Sequence, residues 1–126
     1  MGLSKIDEIM SLIRDMEANT PGIEASAVVS VQGLPIASAM PAEVDESVVA
    51  AMTAAMLSVG ERAGHELVRG NLQQILLQGD DGYIIIKGAG TSAIITVLAK
   101  TDANLGLILM VLKKISTRIG ELLSEE

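Results

Sequence analysis

The chain has 126 residues, a formal net charge of −7, no cysteine, and Tyr83 as its one aromatic side chain. The lack of a basic run argues against nucleic acid as a partner, and the lack of stacking aromatics argues against single-stranded nucleic acid in particular. The absence of cysteine excludes disulfides, thiolate chemistry and cysteine metal sites, and fits a reducing cytoplasm. One domain spanning residues 1–126 is expected, with an aliphatic core of Ile, Leu, Val, Ala and seven Met.

Residues 4–19 predict an amphipathic helix: Ile6, Ile9, Met10, Ile13 and Met16 recur at three- and four-residue steps. Ser4 is placed to cap it, with Asp7 three residues on, and Asn19-Thr20-Pro21-Gly22 ends it. Asp7, Glu8, Asp15 and Glu17 leave the N-terminal segment without the apolar run of a signal peptide. Gly2-Leu3-Ser4-Lys5-Ile6 does not match a lipidation motif. The longest uncharged helical run falls short of the roughly 18 to 20 residues a membrane span needs, so direct membrane insertion is not expected.

Residues 25–31 (ASAVVSV) predict a strand, Gln32-Gly33 a tight turn, and residues 34–40 the returning strand of a hairpin. Pro35 lacks an N–H, so this second strand belongs at a sheet edge. Asp45 is a candidate cap for the next helix, with Glu46 in its first turn.

That helix, within residues 45–70, is the unusual element. Residues 47–60 carry no charge. At 3.6 residues per turn, Val48, Val49, Met52, Met56, Val59, Ala63 and Leu67 share one face. Ser47, Ala50, Ala51, Ala54, Leu57, Ser58, Glu61 and His65 share the other. A surface helix normally turns charge to water, so both faces are expected to be covered. The bulky face is expected on the chain's own sheet, and the small face against the same helix of a second copy.

Residues 73–78, 83–87 and 93–99 predict three more strands. Gly79-Asp80-Asp81-Gly82 and residues 88–92 are the turns between them. The last strand, AIITVLA, is apolar almost throughout, which suits a central position. From about residue 104 a final helix is expected to run to the end, with Leu105, Ile108, Leu109, Leu112, Ile115, Ile119, Leu122 and Leu123 on its apolar face. The predicted fold is α+β, in the order α-β-β-α-β-β-β-α. Its five-stranded, mostly antiparallel sheet carries the central helix on one face and the terminal helices on the other.

No catalytic constellation emerges, so no enzymatic activity, cofactor or metal is expected. His65 is the only histidine, which leaves no imidazole pair for a metal. The run Gly88-Ala89-Gly90-Thr91-Ser92-Ala93 matches G-x-G-x-x-A formally. A β-branched strand follows it where a dinucleotide site needs a helix, so it reads as a turn. The aliphatic core also offers few polar anchors for a small ligand.

Three stretches together resemble the Roadblock/dynein light chain family. They are residues 23–38 (IEASAVVSVQGLPIAS), the segment AAMTAAM at 50–56 continuing to Glu61-Arg62-Ala63, and Asp81-Gly82-Tyr83-Ile84-Ile85-Ile86 with the strand after it and Ala103-Asn104-Leu105-Gly106. The resemblance spans about the whole chain; Gln32 stands where the family often has a turn aspartate. It implies a three-layer α/β/α sandwich, and dimers made through antiparallel central helices and the edge strand after them. It further implies partners among small Ras-like GTPases, or adaptor roles in larger complexes such as dynein and lysosomal scaffolds. Bacterial members stimulate GTP hydrolysis by a partner GTPase in gliding motility. The family has no shared catalytic residue, so Arg62 and Arg69 are not assigned as arginine fingers.

The expectation is therefore a non-catalytic, cytoplasmic homodimer that binds a small Ras-like GTPase and modulates its hydrolysis or localisation. The alternative is a structural adaptor without effect on nucleotide turnover. The expected interface comprises Ser47, Ala50, Ala51, Ala54, Leu57, Ser58, Glu61, His65, Gln73, Ile75 and Leu77.

Overall fold

Local capping sets the helix starts. In the computed structural model, which describes residues 4–124, Ser4 Oγ accepts the Asp7 backbone N–H at 3.1 Å and opens α1, Lys5–Asn19. Asp45 Oδ1 accepts the N–H groups of Ser47 at 2.9 Å and Val48 at 3.4 Å and opens α2, Glu46–Glu66. Both caps satisfy donors that the first helical turn leaves unpaired. Helix α3, Leu105–Ser124, begins where Asn104 Oδ1 accepts the Leu107 N–H. Gly2 and Leu3, which belong to the segment compared with lipidation motifs, and the last two residues of the chain lie outside the described residues.

The strands are β1 (Ile23–Ser30), β2 (Pro35–Ala39), β3 (Ile75–Gly79), β4 (Gly82–Ala89) and β5 (Ala93–Ala99). They form one antiparallel sheet in the order β2-β1-β5-β4-β3. The element order and layering match the prediction. Pro35 sits on an edge strand, and the apolar β5 lies in the middle.

Three boundaries differ. The first hairpin turns through residues 31–34, with Gly33 N–H donating to Ser30 O and Ser30 N–H to Leu34 O. It is longer than a two-residue turn. Strand β4 runs on through Gly88 and Ala89, which the sequence pattern assigns to a turn. Gln73 precedes β3 instead of belonging to it, and its carbonyl accepts from Lys87 Nζ at 2.9 Å.

Strand alternation divides the interior in two. On one side Val28, Ile85, Ile95 and Val97 meet Ile9, Ile13 and Met16 of α1 and Ile108, Leu112 and Ile119 of α3. On the other side Val29, Ile86 and Ile94 meet Ala50 and Leu57 of α2, a smaller cluster. Helix α1 is also tied to β1 by a hydrogen bond: the buried Ser26 hydroxyl donates to Glu17 Oε2 at 2.6 Å. Burial raises the Glu17 carboxyl above its ordinary range, while this hydrogen bond and Arg14 pull it back.

Candidate protein-interaction surface

The sheet-facing side of α2, marked by Ala50, Thr53 and Leu57, is not the expected one. Ala50 and Leu57, expected at a dimer contact, are 0 % and 8 % exposed and rest on the chain's own sheet. Ala54 is half-buried in the same layer. Val48, Met52 and Val59, expected on the sheet, are 49 %, 52 % and 69 % exposed. Leu67 and Ala63 are exposed as well, whereas Met56 is half-buried against the smaller cluster.

The cause is the bulk of the opposing strands. Val29, Ile84, Ile86 and Ile94 fill the space beneath α2. A helix lies close over such a layer on its small side chains, because large ones on both surfaces would overfill it. Gly33 of the first hairpin lies beside the helix: a Cβ there would be in ordinary contact, 3.6 Å from Ala51 Cα and 3.8 Å from Ala54 Cβ. Val48, Met52 and Val59 are thereby turned outward.

The other expected interface residues divide. Ser47, Ala51, Ser58, Glu61 and His65 are exposed along one flank of the helix, beside its buried face and not on it. Ile75 is half-buried, and Leu77 is 39 % exposed on β3. Gly60 brings Ile75 to the helix, since a Cβ on it would meet Ile75 Cδ1 at 2.9 Å.

One surface does emerge from this geometry. Val48, Met52 and Val59, with Ala51 and Ala55 between them, form an apolar stripe along the outer side of α2. A groove of about 380 Å³, lined by Ala55, Met56, Val59, Gly60, Ile75 and Leu77, continues it toward β3. Strand β3 is itself a sheet edge, paired with β4 on one side. Leu76 on that strand is 41 % exposed. An apolar stripe beside an open strand edge is a combination that soluble proteins normally cover. Beyond the stripe, Arg62 and Glu66 form an exposed i,i+4 pair at 3.1 Å.

The sequence pattern assigns Val48, Met52 and Val59 to the wrong side and does not single out Ala55 or Leu76. The signal lies in the strands. Ile84, Ile86 and Ile94 are too large to accept a second bulky layer.

The surface offers little for metal chemistry. Among the described residues no three His, Cys, Asp or Glu side chains gather as a metal site. Among them, too, no helix is long and apolar enough to cross a membrane. The G-x-G-x-x-A run spans the end of β4, a turn and the start of β5, with no helix after it.

Comparison with known proteins agrees with this architecture. The sequence model of the Roadblock/LC7 domain matches residues 12–99. The uncharacterized protein MJ0310 of Methanocaldococcus jannaschii is 38 % identical over 100 residues, covering 79 % of this chain and 87 % of that protein. Among solved structures, Myxococcus xanthus MglB superposes with a TM-score of 0.86 at 16 % identity, covering 98 % of this chain and 92 % of its own. The gliding protein MglB of Thermus thermophilus gives 0.84 at 14 % identity, covering 100 % and 96 %. At such identities the two structural likenesses are likenesses of fold.

Proposed function

Because this chain belongs to the Roadblock/LC7 domain family, we propose that it acts as a non-catalytic, cytoplasmic, homodimeric regulator of a small Ras-like GTPase. The observation that carries the proposal is the outward apolar stripe of Val48, Met52 and Val59 running into the open edge of β3. Two copies related by a twofold axis would lay these stripes against each other and extend one sheet into the next through β3. Each of the three side chains would contribute on the order of 1 kcal/mol by losing its remaining contact with water. The paired helices would then present a platform on which a GTPase could rest, acting on its switch loops without donating a catalytic group.

This face replaces the one expected from sequence. Ala51 and Leu77 remain in it, Ala50 and Leu57 leave it, and Leu76 joins from β3.

The test is turnover. A small GTPase from the same cell, purified and loaded with GTP, is assayed alone and with this chain. A changed hydrolysis rate supports regulation. Binding without any change in hydrolysis or exchange supports the adaptor, and no binding contradicts both.

A further inference from the structure

We propose that a second site, a cleft on the flank of α2 away from the apolar stripe, binds a small aliphatic zwitterion of the amino-acid type. The cleft measures about 520 Å³ and lies between the second half of α2, the 72–73 segment and the β4–β5 turn. That size falls within the rough range of 300–1,000 Å³ for small-molecule sites. It is independent of the GTPase proposal, since Leu57 and Glu61 point to a different side of the helix from Val59.

Gly88 is the residue that makes the cleft. It stands inside β4, on the same face as Ile84 and Ile86, which both pack toward α2. A glycine inside a strand weakens it, and usually marks a bulge or the close approach of another backbone or a ligand. There is no bulge, because the pairing of Gly88 with Ile94 continues the register without a shift. Nor does a protein backbone approach, because a Cβ built on Gly88 meets nothing within 4 Å. The open space above Gly88 is left for something outside the chain.

The walls define what fits. Leu57 and Leu72 make the inner lining aliphatic. Glu61 of α2 and Lys87 of β4 both border the cleft, Lys87 leaving the strand on the face opposite Gly88, and among the described residues no ion pair joins them. Lys87 Nζ is held at the rim by donating to Gln73 O at 2.9 Å. An ammonium would face Glu61, a carboxylate would face Lys87 and the Thr91 hydroxyl, and a branched aliphatic group would lie over Gly88. A ligand carrying a single charge would leave one wall unmatched.

Titration calorimetry on the full chain tests this with L-leucine, L-valine and L-methionine, and with isocaproate and isoamylamine as analogues lacking one charge each. At least one amino acid is expected to bind once per chain, with both analogues tenfold or more weaker. Gly88→Val fills the cleft with a good strand former and should abolish binding without lowering the unfolding midpoint. Should that variant fail to fold, the exposed Glu61→Gln replaces it and should weaken binding at least tenfold. Absence of binding by all three amino acids up to about 10 mM, a range that reaches affinities weaker than about −3 kcal/mol, overturns the proposal. So does binding that neither substitution affects.

Discussion

Gly90, in the turn between β4 and β5, and Gly120, in α3, meet backbone to backbone. A Cβ on Gly120 would stand 2.8 Å from Gly90 N and 3.0 Å from Gly90 Cα. Gly90 also holds a φ of +70°, where a side chain is strained. This contact sets how closely α3 lies on the β4–β5 hairpin.

Gly120→Ala is therefore expected to destabilise the fold by up to about 2 kcal/mol. Overpacking against backbone costs roughly 1–3 kcal/mol and outweighs the helix-propensity gain of about 1 kcal/mol. Gly106→Ala, near the start of the same helix, is the control. Its added Cβ meets only Asn104 Oδ1, at 3.5 Å. Urea unfolding of the two variants should place Gly106→Ala at or above the parent, by up to about 1 kcal/mol.

Helix α2 ends in a Schellman motif with an unusual residue at its left-handed position. Arg69 N–H donates to Gly64 O at 2.7 Å and Val68 N–H to His65 O at 3.2 Å. Val68 itself has φ 57° and is 81 % exposed. Glycine normally occupies that place, and a β-branched residue there is strained by about 1–3 kcal/mol. Val68→Gly should raise stability by about 1 kcal/mol in the same unfolding assay. A loss of stability would mean that the Val68 side chain is packed by something beyond this chain.

Glu17 supplies a pH signature. Burial raises its folded carboxyl above the ordinary value, so the folded state holds the proton more tightly than the unfolded state does. The stability from this group is full below the unfolded carboxylate range and is lost as pH rises through the raised folded value. Glu17→Gln keeps an acceptor for the Ser26 hydroxyl and removes the ionisation. The difference between variant and parent should grow in the variant's favour from about pH 4 toward about pH 7. A difference that is flat across that range would rule out burial as the dominant influence on Glu17.

Substitutions on α2 separate its two faces. Met52→Glu and Val59→Glu alter side chains that are already more than half exposed. They should change the stability of the folded chain by less than about 0.5 kcal/mol while halving its mass in light scattering. Ala54→Arg, which the sequence alone would choose to break the dimer, instead puts a long charged side chain into the layer between α2 and the sheet. It should damage the fold itself, visible as lost helix signal or a lowered unfolding midpoint.

Much of this molecule is legible in its sequence. Periodicity in α1 and α3, the β-branched runs, the proline of β2 and the apolar β5 lead to the right order, layers and one sheet edge, and the family resemblance supplies the other. The orientation of α2 is not legible from the helix alone. Its small and bulky residues are both uncharged, and which set faces inward depends on the volume already filled by Ile84, Ile86 and Ile94 from distant parts of the chain. The cleft is hidden for a related reason. Gly88 beside Gly90 looks like a turn in sequence, and only the pairing of Gly88 with Ile94 places it in a strand.

In the proposed function, a dimer paired through the outer faces of α2 makes a nucleotide-sensitive contact with a small GTPase. Affinity capture from the source cell's lysate tests it most directly, run with GDP and with a non-hydrolysable GTP analogue, using the parent chain and Met52→Glu. A small GTPase retained by the parent only with the analogue, and lost with Met52→Glu, is the predicted result. Equal retention in both nucleotide states, or retention that Met52→Glu leaves unchanged, would contradict it.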